Sequence, residues 1–332
     1  MRVAINGFGR IGESVFKLCL EGGIRVVAIN DIHGVDDVIY LLKYGSIHGK
    51  FKGTIKKGKR GELIVNGKKI VVLSERNPEN LPWADLKIDT VVEATGKFTD
   101  KRSASKHIQA GAKKVVITAP ADNPDIIILP GVNENKLEKG DEIISVASCT
   151  TNALAPVVAV LDKKFGIKNA LFTTIHAYTS SQSVVDTSSE KRRRLGRAAL
   201  MNLIPSTTGA SDSICVVFPK LLGKIKGFAV RVPIPDGSLL DLTVELKKNF
   251  TEKGLNQIFK KESKGSMKGI IGYTEEELVS TDIIGRTESG IVDALSTQKQ
   301  GNLAKVLVWY DNEYGYSNRV VDVLKLMRKW SK

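Results

Sequence analysis

A glycine turn set between a strand and a helix constrains this chain more than any other stretch of it. Gly7-Phe8-Gly9-Arg10-Ile11-Gly12 has the G-x-G-x-x-G spacing. Glycines recur in turns, so the spacing alone says little. Its setting says more. Arg2–Asn6 predicts a strand before the turn, and Ile11, Val15, Leu18 and Cys19 fall at helical spacing after it. Gly7 permits the tight turn, Gly9 lets the backbone approach a pyrophosphate, and Gly12 lets helix and strand pack closely. The helix N-terminus then offers unpaired N–H groups to phosphates. Val26–Asn30 predicts the next strand, and Asp31 follows it, 19 residues beyond Gly12. A carboxylate there accepts from adenosine ribose hydroxyls and repels a 2′-phosphate, so the turn reads as a site for NAD.

Further strands are predicted at Ile70–Leu73, Thr90–Ala94, Val115–Thr118 and Ile126–Leu129. This β-α-β rhythm predicts an α/β chain with a Rossmann-type, doubly wound parallel sheet. The pattern changes near Cys149. Thr150–Phe165 reads as a helix interrupted or kinked by Pro156, and Leu240–Lys247 alternates apolar and polar residues. Such alternation predicts a catalytic α+β domain with a mostly antiparallel sheet. Val320, Val323, Leu324 and Met327 mark a C-terminal amphipathic helix. The expected division is 1–148 for the dinucleotide-binding domain, completed by the returning helix 313–332, and 149–312 for the catalytic domain. Ser180–Arg197 is polar, aperiodic and long for a loop, which suits a functional segment.

The 332 residues suffice for two cores, and 42% apolar with 26% charged residues is a globular balance. No apolar run approaches the roughly 20 residues that span a bilayer, and MRVAINGFGR reads as a strand rather than a secretory signal. The three cysteines are scattered and form no CxxC pair, so neither a disulfide framework nor a metal site is expected. A cytoplasmic, reducing location fits. The net charge of +14 fits a lysine-rich solvated surface or steering of an anionic substrate. Nucleic-acid binding is disfavoured, because the basic residues are spread along the whole length.

Ser148-Cys149-Thr150-Thr151-Asn152 carries the chemistry. The strand candidate Ile143–Ala147 runs into it and a helix runs out. A thiol at a helix N-terminus is expected to have a lowered pKa and to act as a nucleophile. Cys19 and Cys215, in apolar company, read as inert. Of the four histidines, His107 lies in a helical stretch and suits a structural role, while His33 and His48 sit in Gly-flanked loops. His176 ends the apolar run Ala170–Ile175, where a strand would deliver it to a sheet edge. The sequence alone does not bring it to Cys149.

INGFGRIG, SCTTN at 148–152, TTIHAYT at 173–179, PSTTGA at 205–210, RVP at 231–233 and WYDNEYGYSNRV at 309–320 occur in this order. In these motifs the chain resembles the phosphorylating, glycolytic glyceraldehyde-3-phosphate dehydrogenases along essentially its whole length. The resemblance implies oxidation of glyceraldehyde 3-phosphate with NAD and inorganic phosphate, through a thiohemiacetal and thioester on Cys149 with His176 as base. It implies that Thr179 and Arg231 hold the substrate phosphate, and that Ser148, Thr150, Thr208 and Gly209 hold the attacking one. Arg197 matches a further phosphate-contacting arginine. The cofactor residues it implies are Asn6, Gly7, Gly9, Arg10, Ile11, Gly12, Asp31, Arg76, Thr95, Gly96, Thr118, Asn312 and Tyr316. It also implies a homotetramer. Against an erythrose-4-phosphate dehydrogenase stand Tyr178-Thr179 and Ser206-Thr207-Thr208-Gly209, which keep both phosphate sites. Ser188 stands where many members carry proline; with its basic neighbours it leaves room for weak NADP use beside NAD. Tyr314 and Ala153 replace a tryptophan and a second cysteine common in the family. The Lys191–Arg194 run reads as a solvated patch.

Overall fold

The computed structural model describes residues 1–189 and 192–330. Glu190 and Lys191 of the basic run, and the last two residues of the expected C-terminal segment, therefore lie outside the described residues. The chain divides into two units, Met1–Ala147 with Ser317–Lys332, and Ser148–Tyr316.

The first unit contains β1 (Arg2–Asn6), α1 (Arg10–Glu21), β2 (Arg25–Asn30), α2 (Val35–Lys43), β3 (Ile55–Lys57), β4 (Glu62–Val65) and β5 (Lys68–Leu73). It continues with β6 (Thr90–Glu93), α3 (Lys101–Ala104), α4 (Lys106–Gln109), β7 (Lys114–Ile117), β8 (Ile126–Ile127) and β9 (Ile143–Ser145). Among the described residues these strands form one sheet in the order β3-β4-β5-β2-β1-β6-β7-β9-β8. From β5 to β8 every pairing is parallel. Val3, Ala4 and Ile5 are wholly buried, as a parallel strand covered on both faces requires. Strand order reverses at β1, which has β2 on one side and β6 on the other. Ligands bind such sheets beyond the strand ends at this switch point.

Two features differ from the expected pattern. The edge strands β3 and β4 pair antiparallel, and β4 pairs antiparallel with β5. Asn66 and Gly67, at φ 49° and 76°, form the tight turn between β4 and β5, and positive φ at both positions is what a two-residue hairpin needs. Strand β8 stops at Ile127 rather than Leu129, because the Leu129 N–H donates to Asn133 Oδ1 at 2.8 Å instead of extending the ladder.

The second unit contains α5 (Cys149–Phe165), β10 (Ile167–Ala177), β11 (Ile204–Ser206), α6 (Ala210–Val217), β12 (Ile225–Val232) and β13 (Ser238–Leu246). Then follow α7 (Glu252–Lys264), β14 (Ile271–Thr274), β15 (Gly290–Gln300), β16 (Leu303–Tyr310) and α8 (Tyr314–Met327), which carries the chain back into the first unit. The sheet order is β11-β12-β10-β13-β16-β15-β14. Pairings are antiparallel except β10 with β12 and β14 with β15. Helix α5 runs unbroken through Pro156, which lacks an N–H and so forgoes one helical hydrogen bond. Among the described residues 180–192 carry no helix or strand. No helix among the described residues is long and apolar enough to cross a membrane.

Candidate active site

The glycine turn has the geometry its spacing predicts. Gly7 sits at φ +91°, and a Cβ there would lie 2.8 Å from the Thr95 nitrogen. A Cβ on Gly12 would lie 2.0 Å from the Gly7 carbonyl oxygen, so helix and strand meet only because both are glycine. Gly9 caps α1 without a side-chain bond, and a Cβ on it would meet nothing within 4 Å. The open approach to Gly9 at the start of α1 fits a pyrophosphate. Asp31 is pinned beside the turn: Oδ2 accepts from the Phe8 N–H at 2.8 Å and Oδ1 from the His33 N–H at 3.0 Å. The Thr118 hydroxyl and N–H both donate to the Glu93 carbonyl at 3.0 Å. Gly96 follows at φ +68°, and Arg76 is exposed.

Beneath the turn lies a buried polar network that the sequence reading did not identify. Asn6 Nδ2 donates to Glu93 Oε2 at 2.6 Å, and the Thr95 N–H and hydroxyl both donate to Oε1. His107 Nε2 lies 3.1 Å from Oε2, with both side chains fully buried. Trp83 Nε1–H donates to His107 Nδ1 at 3.0 Å, which fixes the ring hydrogen on Nε2 and directs it to Glu93. Asn6 Oδ1 accepts in turn from Asn30 at 2.7 Å. The signal was present: Glu93 is the only charged residue in Thr90–Ala94.

The thiol site lies in the second unit. The chain enters it through Ala147 at φ 52°, a backbone state disfavoured for a side chain with a Cβ and common where function requires a sharp turn. Ser148 then caps α5 by accepting from the Thr151 N–H at 3.1 Å, which makes Cys149 the first helical residue. Strand β10 brings His176 Nε2 to 3.3 Å from Cys149 Sγ. His176 Nδ1 lies 2.7 Å from the Ala177 carbonyl and 2.6 Å from Arg231 Nη1, delivered by the parallel neighbour β12 in the register His176 opposite Arg231. A guanidinium only donates. Bonded to Nδ1 it leaves the ring hydrogen on Nε2, whereas a Nδ1–H given to Ala177 frees Nε2 to take the thiol proton.

The electrostatics correct one expectation. Burial pushes the Cys149 thiol up; the Arg231 cation and hydrogen bonds with Thr150 pull it back, and the balance lies above the ordinary value. Cys19, buried in α1, is pushed up to about 12 by burial, and burial also raises Cys215.

Around the pair, the Tyr310 hydroxyl lies 3.0 Å from Thr150 Oγ1 and 2.6 Å from Thr174 Oγ1, with its ring edge-on to His176. Ser238 Oγ accepts from the Ala177 N–H at 3.1 Å and donates to Asn312 Oδ1 at 2.6 Å. Tyr310, Thr174 and Ser238 were not anticipated, because a hydroxyl in a strand carries no mark in the sequence. Tyr316 is buried, and burial with the nearby Cys149 charge pushes its phenol up. The other anticipated phosphate residues make contacts of their own. Thr179 pairs with Ser181 and Gln182, Thr208 accepts from the Ala210 N–H, and Gly209 caps α6. Arg197 is exposed and pairs through Nε with Asp186 at 3.1 Å. In the same unit Asp236, Asp311 and Glu313 are buried, and Asp236 is pushed up to about 9 by burial and by the Asp311 and Glu313 charges.

A doubly wound unit with an open glycine turn, and a mixed-sheet unit carrying a cysteine–histidine pair beside an arginine, define a dinucleotide-dependent dehydrogenase that works through a covalent sulfur. Comparison with known proteins makes this particular. Residues 1–101 match the glyceraldehyde 3-phosphate dehydrogenase NAD binding domain, and residues 148–312 match the C-terminal domain of the same enzyme. The glyceraldehyde-3-phosphate dehydrogenase of Thermotoga maritima is 51% identical over 332 residues, covering 99% of each chain. That of Geobacillus stearothermophilus is 48% identical over 326 residues, 97% of each chain. Glyceraldehyde-3-phosphate dehydrogenase 2 of Bacillus subtilis is 49% identical over 328 residues, covering 98% of this chain and 96% of its own. The chain belongs to the glyceraldehyde-3-phosphate dehydrogenase family.

Proposed function

We propose that this protein oxidises glyceraldehyde 3-phosphate to 1,3-bisphosphoglycerate with NAD and inorganic phosphate. The observation that carries the reading is the 3.3 Å approach of His176 Nε2 to Cys149 Sγ with Arg231 against the same imidazole. Cys149 sulfur bonds to the aldehyde carbon as His176 takes the thiol proton; His176 returns it to the new alkoxide, giving a thiohemiacetal, and takes the hydroxyl proton as the hydride leaves. The Cys149 N–H and His176 stabilise the oxyanion. NAD supplies the acceptor for the hydride leaving that carbon, so sulfur keeps the acyl group as a thioester. A phosphate oxygen then bonds to the acyl carbon, the carbon–sulfur bond breaks, and the acyl phosphate leaves. Arg231 and Thr179 are the proposed holders of the substrate phosphate. Ser148, Thr150, Thr208 and Gly209, with Arg197, are proposed for the attacking one.

The first unit, 1–147 with the end of the chain, is the proposed holder of NAD. Asn6, Gly7, Gly9, Arg10, Ile11, Gly12, Asp31, Arg76, Thr95, Gly96 and Thr118 serve there, while Asn312 and Tyr316 serve the nicotinamide. Asp31 disfavours a 2′-phosphate, so NADP use is weak. The protein works in the cytoplasm as a homotetramer. In support, Leu171 and Phe228 lie on one face of the second sheet, 67% and 49% exposed, and an apolar sheet face suits a subunit contact. The test is NADH formation from glyceraldehyde 3-phosphate with and without phosphate, on the wild type and Cys149→Ser. Strong phosphate-dependent activity abolished by the substitution is expected. Activity indifferent to phosphate would point to thioester hydrolysis, as in a non-phosphorylating or erythrose-type enzyme.

A further inference from the structure

We propose that Ser238 is a positioning residue that fixes which end of the Asn312 amide faces the cofactor, and so makes the site read the carbonyl oxygen of the nicotinamide carboxamide. The proposal rests on the reading above that Asn312 serves the nicotinamide.

Ser238 is fully buried at the start of β13, where it pairs with Tyr310 of β16. The residue before it allows it no freedom. Gly237 sits at φ +83°, and a Cβ there would lie 2.1 Å from the Ser280 carbonyl oxygen. The Ser238 hydroxyl therefore stands at a set point between the end of β10 and the turn that follows β16. Its hydrogen bonds then settle by count. Oγ accepts from the Ala177 N–H at 3.1 Å, and its single hydrogen is left for Asn312 at 2.6 Å. That separation is usual for O–H···O and short for N–H···O, so the amide oxygen is the atom turned toward Ser238. The amide nitrogen then points away, and among the described residues nothing accepts from it. Asn312 is 5% exposed, which leaves little room for the amide to choose its own orientation in water.

An Asn312 held in this way offers two N–H donors and no acceptor. It matches the carboxamide oxygen of a nicotinamide and ignores the carboxamide amino group. Ser238 acts only through Asn312, and it also ties that amide to Ala177, the residue next to His176. A purely structural role in the catalytic strand is thus the competing explanation, and the test must separate the two.

The experiment measures dissociation constants by titration calorimetry for NAD and for 3-acetylpyridine adenine dinucleotide, which keeps the carbonyl and lacks the amino group. The full-length wild type and Ser238→Ala are compared, together with the rate of Cys149 alkylation by iodoacetamide without cofactor. The expected result is about a tenfold weaker hold on the acetylpyridine analogue in Ser238→Ala, the loss of one oriented neutral hydrogen bond. NAD weakens less, because the freed amide can turn its oxygen to the NAD amino group. Cofactor-free alkylation keeps its rate and pH profile, which also shows that the variant is folded. Equal weakening for both dinucleotides, or none for either, overturns the proposal. So does slowed alkylation, which would place Ser238 in the support of His176. Binding is read without turnover, so a wild type inactive on glyceraldehyde 3-phosphate would refute the proposed function while leaving this measurement to judge Ser238.

Discussion

Glu93→Gln is the smallest change that tests the buried network beneath the glycine turn. Both carboxylate oxygens act as acceptors: Oε1 takes the Thr95 N–H and hydroxyl, and Oε2 takes Asn6 Nδ2 and the His107 Nε2–H. Glutamine has the same shape but only one acceptor oxygen. If its oxygen stays with Thr95, its NH2 opposes the Asn6 NH2 and the His107 N–H. If it turns over, it opposes the Thr95 N–H. His107 cannot relieve the conflict by moving its hydrogen to Nδ1, because Trp83 Nε1–H already points there. At least one buried donor is left facing a donor. A hydrogen bond to a charged group contributes about 1.5–3 kcal/mol, and stranding a buried donor adds to that. A loss of about 3 kcal/mol follows, or a fall of about 6–12 °C in Tm for a domain of this size. Scanning calorimetry on Glu93→Gln measures it. The argument also predicts coupling. Trp83→Phe removes the opposing N–H, so in the double variant His107 can turn Nε2 into an acceptor. The double variant is then expected to lose about 1 kcal/mol less than the sum of the singles. A fall below about 2 °C for Glu93→Gln, or additive single effects, would refute the donor count.

Three further outcomes follow from the geometry. Arg231→Leu removes the cation that opposes the burial of Cys149, so the thiol moves further up and iodoacetamide alkylation at neutral pH slows; a pH profile that stays put or moves down contradicts this. Asp236, pushed up to about 9, keeps in the native state a proton that the unfolded chain releases near pH 4; its contribution is full below that pH and is lost as pH rises to about 9. Asp236→Asn cannot ionise and still accepts from the Gly237 N–H, so its Tm is expected to exceed the wild type by about 10 °C or more at pH 8 and to match it at pH 4. Asp31→Asn keeps an acceptor for the Phe8 N–H while removing the charge, and the ratio of NADP to NAD affinity should rise by about tenfold or more on direct titration.

The parts of this chain that were legible are those where one physical demand dominates. Strands β1, β2, β6 and β7 are buried on both faces, and their continuous apolar runs mark them within a residue. The glycine turn is legible because a Cβ at Gly7 or Gly12 has nowhere to go. The edge hairpin hid behind its lysines: Ile55–Lys57 and Lys68–Lys69 read as solvated charge until strand pairing is known. Ser180–Arg197 was legible as irregular and no further. At the active site the sequence delivered His176 to a strand end, but its 3.3 Å approach to Cys149 depends on long-range strand pairing. Ser238 and Tyr310 are set by the same pairing, β13 against β16, and neither residue type announces a burial.

The three cysteines show why composition of the neighbourhood was the right clue for the wrong reason. Polar flanks at Cys149 and apolar ones at Cys19 were read as a lowered thiol against an inert one. In the folded chain burial raises all three, so desolvation does not distinguish the nucleophile. What distinguishes it is the company that burial brings. Cys19 has only the charge of Lys325 to offset its burial, and Cys215 has the adverse charge of Asp212. Cys149 combines a cation with hydrogen bonds to Thr150 and an imidazole at 3.3 Å. The reactive site is therefore built by the register that sets His176 opposite Arg231.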